Sequence, residues 1–431
     1  MVRAFSIFGI LLLAAGATCA QSSPPTDQAE QMRLLLERIE QLEQRVSELE
    51  AKQAPAMVNA VYTAREAAAP VQPPRQAAAP AAEAHQHDVP EQAATTTVQQ
   101  MELHYPSLQI RGFGDVDFSA TDQKGTTSGF NLGQFDLHLA SALSRKVSYF
   151  AEITFNAQPT SNTQRTGYTV EVERNIIRYD YNDYFKLSFG RYHTPIGYWN
   201  TAFHHGAWLQ TTISRPDIVK IGGTFIPVHF VGFLAEGNIP SGGAGLSYSF
   251  GVGNGRGDLI SRPGDAGDNN NNRAWVANIY SRPQRLYGLQ LGASVYRDKI
   301  TLAGADFREW IASAHVVWTK ETPEFLAEFA NVNHRRVLTD VATNSQAFYV
   351  QLGYRLPWFE RTVKPYYRFE YTHMPLSEQV FIPNQDLVGS IVGVRYDISN
   401  YAAFKAEYRN TKREIGLPRV NGLFLQTAFT F

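Results

Sequence analysis

Cysteine is all but missing: the 431 residues contain one, Cys19. It sits where a secretory leader would be cut, so cleavage after Ala20 leaves a mature chain with no disulfide and no thiol chemistry. Aromatic residues are scarce in the first 100 positions, which hold only Phe5, Phe8 and Tyr62 out of 6 Trp, 21 Tyr and 26 Phe in the chain. That imbalance excludes one globular domain over the whole length. An excess of either charge is lacking too. A net charge of −1 argues against a partner held by bulk attraction, nucleic acid above all. The apolar stretch Phe5–Ala17 falls short of the about 20 residues that a membrane-spanning helix needs. Neither Gly-x-Ser-x-Gly nor His-Glu-x-x-His occurs, so nothing points to an enzyme or a cofactor.

What is present begins with a leader over 1–20: Arg3, the apolar stretch, and Thr18-Cys19-Ala20 as a small-residue cleavage site. A lipoprotein anchor at Cys19 is the alternative, but Thr18 fits a lipobox poorly. A coiled coil over 28–53 follows. Met32, Leu35, Ile39, Leu42, Val46 and Leu49 repeat at alternating steps of three and four, an unbroken heptad seam. Ile39 and Val46 at a with leucine at d favour two strands. Against that, Arg38-Ile39-x-x-Leu42-Glu43 and Arg45-Val46-x-x-Leu49-Glu50 resemble the Arg-h-x-x-h-Glu pattern of short trimeric coiled coils, and two copies tip the reading to a homotrimer. Residues 54–104, rich in Ala, Pro, Gln and Thr, read as an extended linker with too few apolar side chains for a core. Its His85 and His87 have no third ligand nearby and read as solvated.

From 105 to 431 the period becomes two. Phe135, Leu137 and Leu139 alternate with Gln134, Asp136 and His138; Trp310, Ala312, Ala314, Val316 and Trp318 share one face of a later segment. Short links near 144–146, 182–183, 237–242, 282–287, 321–323, 357–361 and 399–400 alternate with longer polar segments near 121–129, 158–167, 194–224, 254–272, 299–306, 334–344, 373–385 and 412–420. Eight long and seven short connections predict sixteen antiparallel strands, an all-β transmembrane barrel in the outer membrane with lipid as its solvent. Aromatics at strand ends (Tyr179, Tyr181, Tyr184, Phe185; Trp358, Phe359) suit interfacial girdles, and Leu423, Leu425, Thr427, Phe429 and Phe431 alternate to a terminal phenylalanine. A β-sandwich would alternate as well but needs neither girdles nor this loop pattern.

Phe189-Gly190-Arg191-Tyr192-His193-Thr194-Pro195-Ile196-Gly197 looks like the strand-end segment Gly-x-x-x-x-Pro-Phe-Gly of the phosphate-selective porin O and P family, and the architecture over ~105–431 resembles that family as well. The resemblance implies a sixteen-stranded trimeric porin, several relatives carrying a coiled coil ahead of the barrel, and anions such as phosphate among the solutes.

A barrel of this size leaves an aqueous channel, narrowed by whatever folds into it. The longest loop, 194–224, is the candidate constriction, with Tyr198, Trp199, His204, His205, Trp208, Arg215, Asp217 and Lys220 as pore candidates. Strand parity points Arg111, Asp115, Asp117, Asp136, Glu152, Lys186, Arg368, Arg395 and Lys405 into the lumen, with Glu328, Arg355, Glu370, Glu407 and Arg409; opposed charges of this kind filter polar solutes. The segment Asn254-Gly255-Arg256-Gly257-Asp258 superficially suggests a calcium loop but lacks the regular ligand spacing, and reads as a solvated outer loop. The expected function is passive diffusion of small hydrophilic solutes. A tether to peptidoglycan through the periplasmic stem is the alternative, and a barrel enzyme the third reading.

Overall fold

A computed structural model of the chain describes residues 105–157, 168–203, 206–220, 225–257, 259–381, 386–413 and 417–431. The leader, the coiled coil with Arg38 to Glu50, the linker, and His204 and His205 lie outside the described residues.

Sixteen strands close into one antiparallel barrel. They are β1 (Ser107–Thr121), β2 (Gly129–Ala142), β3 (Val147–Ala157), β4 (Tyr168–Asn182), β5 (Phe185–His193), β6 (His229–Ile239), β7 (Leu246–Asn254) and β8 (Ala274–Ser281). The second half runs β9 (Leu289–Leu302), β10 (Ala305–Trp318), β11 (Glu324–Arg336), β12 (Ala342–Gly353), β13 (Val363–His373), β14 (Leu387–Ser399), β15 (Ala402–Arg413) and β16 (Val420–Thr430). Each strand pairs with its sequence neighbours, and β1 meets β16 to shut the seam. There the Phe431 amide and carbonyl both bond to Gly112, at 3.1 and 3.0 Å. No edge is left unpaired, which is what hydrocarbon demands of a sheet.

The faces are inverted relative to a soluble protein. Outward positions such as Val316, Phe329 and Val392 are exposed, whereas Glu152, Arg368 and Lys405 have no solvent exposure. The apolar band has two markers on one strand. Trp318 and Trp310 both face outward on β10, and eight strand residues at ~3.4 Å each, tilted by ~40°, span about 20 Å, close to an outer-membrane hydrocarbon layer. The start of β1, the end of β16 and the connections 183–184 and 400–401 share one rim; the opposite rim carries the described parts of 194–228, 255–273 and 374–386. Longer loops mark the outer side.

The long segment expected at 334–344 shortens to 337–341, and sequence and structure differ at two further connections. The sequence reading puts a long polar loop at 299–306, but β9 and β10 run on to a tight turn at Ala303-Gly304, whose φ angles of 49° and 79° suit a hairpin. The reason is a second inversion: above the membrane the outer face becomes polar (Lys299, Arg308) while the inner face becomes apolar (Ile300, Phe307), so the strand no longer reads as one. On the other rim, 354–362 is longer than the turn expected at 357–361. The strand total survives both because each connection still reverses the chain.

The third loop and the barrel interior as candidate site

The third loop, 194–228, turns inward at its start. Gly197 has φ +73°, and a Cβ there would come 2.0 Å from Glu328 Oε2, so only glycine lets the chain pass this carboxylate. Glu328, on β11, accepts the backbone N–H of Tyr198 at 2.6 Å and of Trp199 at 2.8 Å, and the Tyr349 hydroxyl at 2.6 Å. Trp199 then starts a single helical turn, Trp199–Ala202, with its ring fully buried edge-on to Tyr349 at 5.8 Å. The Pro-Ile-Gly segment is thus a device for delivering Trp199 to the interior.

Beyond the two undescribed histidines, residues 206–220 run along β11–β15, and the wall holds their backbone. Lys405 donates to the carbonyls of Ala207 and, at 3.0 Å, Thr212. Arg395 donates to the carbonyls of Trp208 (2.6 Å) and Gln210 (3.0 Å), with the Trp208 ring 5.6 Å from its guanidinium. Arg368 reaches the Thr212 hydroxyl and the Ser214 carbonyl, both at 2.8 Å. Carboxylates take the amides: Glu407 accepts from Ile213 at 2.9 Å and Glu370 from Asp217 at 2.8 Å. Arg413 completes the row, 2.9 Å from Asp217. A hydrogen bond to a charged group contributes about 1.5–3 kcal/mol, so this series fixes the loop firmly. Parity therefore identified Arg368, Arg395, Lys405, Glu328, Glu370 and Glu407 as inward residues, and the structure uses them as mounts. Arg355 lies past the end of β12, at the short-turn rim, bound to Glu321 and Asp397. Lys220 is exposed at the end of this limb.

The opposite wall carries a second charged group. Glu152 on β3 receives Arg174 Nε at 2.5 Å and faces His138 at 3.0 Å and His193 at 3.4 Å. Beside it His229 lies 2.6 Å from Glu173. Arg215, from the loop, is in electrostatic reach of both carboxylates. Neither Glu173 nor Arg174 is among the residues singled out from the sequence, and no single alternation would place both inward. The pairing slips between Glu152 and Ile153, so β4 holds one extra residue there; such a bulge turns two successive side chains inward and reverses parity beyond it. Arg178 follows in the new phase and pairs with Asp180 at 2.5 Å. Below the loop a cavity of about 250 Å3, open to solvent, is lined by Arg174, Arg178, Lys186, Arg282, Asp183 and Glu236 among others. Asp136 is buried on this inner face, Asp115 and Asp117 lie within electrostatic reach of Lys405, and Arg111 is exposed at the short-turn rim.

A third tier closes over the loop. Arg256 is buried, not solvated as the sequence reading has it: its guanidinium binds Glu309 at 3.0 Å, the Ile260 carbonyl at 2.7 Å and the Phe225 carbonyl at 3.0 Å. His334 bridges Glu309 (2.8 Å) and Glu378 (3.0 Å), and the Phe381 ring covers it at 4.6 Å. Loops 194–228, 255–273 and 374–386 thus share one packed cluster inside the barrel mouth.

Known structures share this architecture. An anion-selective porin from Comamonas acidovorans aligns with a TM-score of 0.55 at 9% identity, covering 76% of this chain and 100% of that one. The outer membrane channel DcaP of Acinetobacter baumannii aligns at 0.53 and 12%, covering 76% and 97%. OmpT of Vibrio cholerae, in a trimer form, aligns at 0.51 and 12%, covering 76% and 99%. At such identities the likeness is one of fold. A sequence search against curated proteins finds no match. The family model for phosphate-selective porin O and P matches residues 108–351, more than half of the sequence, and the chain therefore belongs to that porin family.

Proposed function

We propose that this outer-membrane channel passes small hydrophilic solutes by passive diffusion, with anions preferred, and that the loop 194–228 sets its width. One observation carries the reading. The loop is pinned to β11–β15 by charges on the wall, and the solvent-open cavity remains on the other side, lined by Arg174, Arg178, Lys186 and Arg282 together with Asp183 and Glu236. Wall positions on the mounted side are consumed by the loop, so a solute passes the charged groups of the open side, Lys186 and Arg282 among them. Opposed charge in a narrow aqueous path orients and filters what passes.

The chain works as a homotrimer in this reading, its stem drawn together by Ile39, Leu42, Val46 and Leu49 with Arg38–Glu43 and Arg45–Glu50 pairs between helices. The test is reversal potential in a planar bilayer under a salt gradient. Anion preference is expected for the native protein, and K186Q with R178Q should move the reversal potential toward the cation side. A cation-selective native channel, or one that does not conduct, would sink the proposal.

A further inference from the structure

Above the upper tryptophan girdle the outer wall turns basic. Trp275 and Trp310 meet edge-on at 5.5 Å on the lipid-facing side. Arg297 is the register partner of both, with its guanidinium 5.9 Å from the Trp310 ring. One step higher, Lys299, Arg308 and Arg335 occupy facing positions on β9, β10 and β11. Directly opposed side chains are about 5 Å apart, and like charges so placed destabilise a sheet unless something neutralises them. Asp306 answers Lys299 at 2.7 Å and Asp340 answers Arg335 at 2.8 Å. Among the described residues no carboxylate comes within ion-pair distance of Arg297 or Arg308, and Arg308 is exposed.

These four cations cannot act on a solute in the lumen. Their strand neighbours Asp298, Glu309 and His334 are the buried, inward-facing residues, so the cations point out. Arg297 is in register with the tryptophans and the other three lie one step beyond them, at the level of lipid headgroups. On β11 and β12, Asn333 and Asn344 face outward in register with Trp310, with Asn331 and Gln346 one step toward the membrane centre, and hydrogen bonds of 3.1–3.4 Å between side-chain amides join them. Amides facing acyl chains alone are costly; at a headgroup they find partners.

We propose that this face binds the phosphate groups of outer-leaflet glycolipids, with Arg297 and Arg308 as the phosphate-binding cations and the amide cluster receiving the sugar. The charge favours this occupant over a second copy of the same face, which would bring cations against cations. The proposal concerns the outer wall and stands apart from the channel reading.

The test uses the full-length protein in mild detergent, incubated with bis-phosphorylated lipid A or with its dephosphorylated form, and native mass spectrometry to count bound lipid. The native protein should retain the phosphorylated lipid at least fivefold better. R297Q/R308Q should lose that preference, R308Q alone should lose part of it, and R285Q, exposed on the opposite rim, should keep it. Equal retention of the two lipids, or an unchanged preference in R297Q/R308Q, would overturn the proposal. Displacement by equimolar inorganic phosphate would instead mark a free-anion site, and a changed oligomer mass in the variants a protein interface; either result also overturns it. Conductance of the same variants, expected to be native, separates this outcome from failure of the channel reading.

Discussion

The Glu328 carboxylate and the Tyr198 amide, 130 residues apart in sequence, meet at 2.6 Å inside the barrel. Because the same carboxylate takes the Trp199 amide, E328A leaves two buried N–H groups without an acceptor. The expected cost is about 2–5 kcal/mol, concentrated on the start of the loop. Single-channel recordings should show a larger and noisier conductance than the native protein. An unchanged trace would mean that the loop is held by other contacts.

Arg368 and Glu370 bind each other at 2.6 Å and bind the loop together. R368M strands a buried carboxylate and should cost about 3–5 kcal/mol, whereas R368M/E370M removes both charges and should be less destabilised than the sum of the two single variants. Heat-induced mobility shift on electrophoresis measures this; strict additivity would show that the pair is not coupled.

Glu378 supplies a pH dependence whose sign is fixed. Burial opposes its ionisation, but the His334 hydrogen bond and charge and the Val380 amide outweigh it, holding the carboxyl at about 2 against an ordinary 4.5. A carboxyl depressed by folding stabilises the protein fully above pH 4.5, and that contribution disappears as pH falls through about 2. The melting temperatures of native protein and E378Q should differ by a constant amount from pH 7 to 5 and converge near pH 2. A gap that persists at pH 2 would contradict the assignment.

At the seam, a Cβ on Gly112 would lie 2.2 Å from the Phe431 ring. G112V displaces the terminal phenylalanine from β1 and should lower the yield of barrel inserted in the outer membrane, with G129V as a control because nothing lies within 4 Å of a Cβ there. Fractionation and heat-modifiability report the difference; equal yields would remove any role for the ring contact.

The period-two pattern made the barrel legible because lipid outside and water inside impose opposite demands on alternate residues. Where that contrast fails, reading failed with it. Above the membrane, Ile300 and Phe307 face in while Lys299 and Arg308 face out, and the strands there looked like loop. At the β4 bulge one extra residue puts Glu173 and Arg174 on the same side, so no single alternation covers the strand. Arg256 looked solvated because its partners, Glu309 and the Phe225 carbonyl, come from distant segments. The inward wall charges were readable, but their attachment to the backbone of 206–220 was not, since backbone atoms carry no sequence signal.

A loop held by its backbone bears on how such channels diversify. The clamp grips mainly amide and carbonyl groups common to every residue type, so side chains in this stretch that it does not touch, such as those of Ala207 and Ile213, are replaceable without loosening it. New solute preferences can then arise by point substitution in a loop whose seat stays put, which makes this stretch the natural place to graft a different filter.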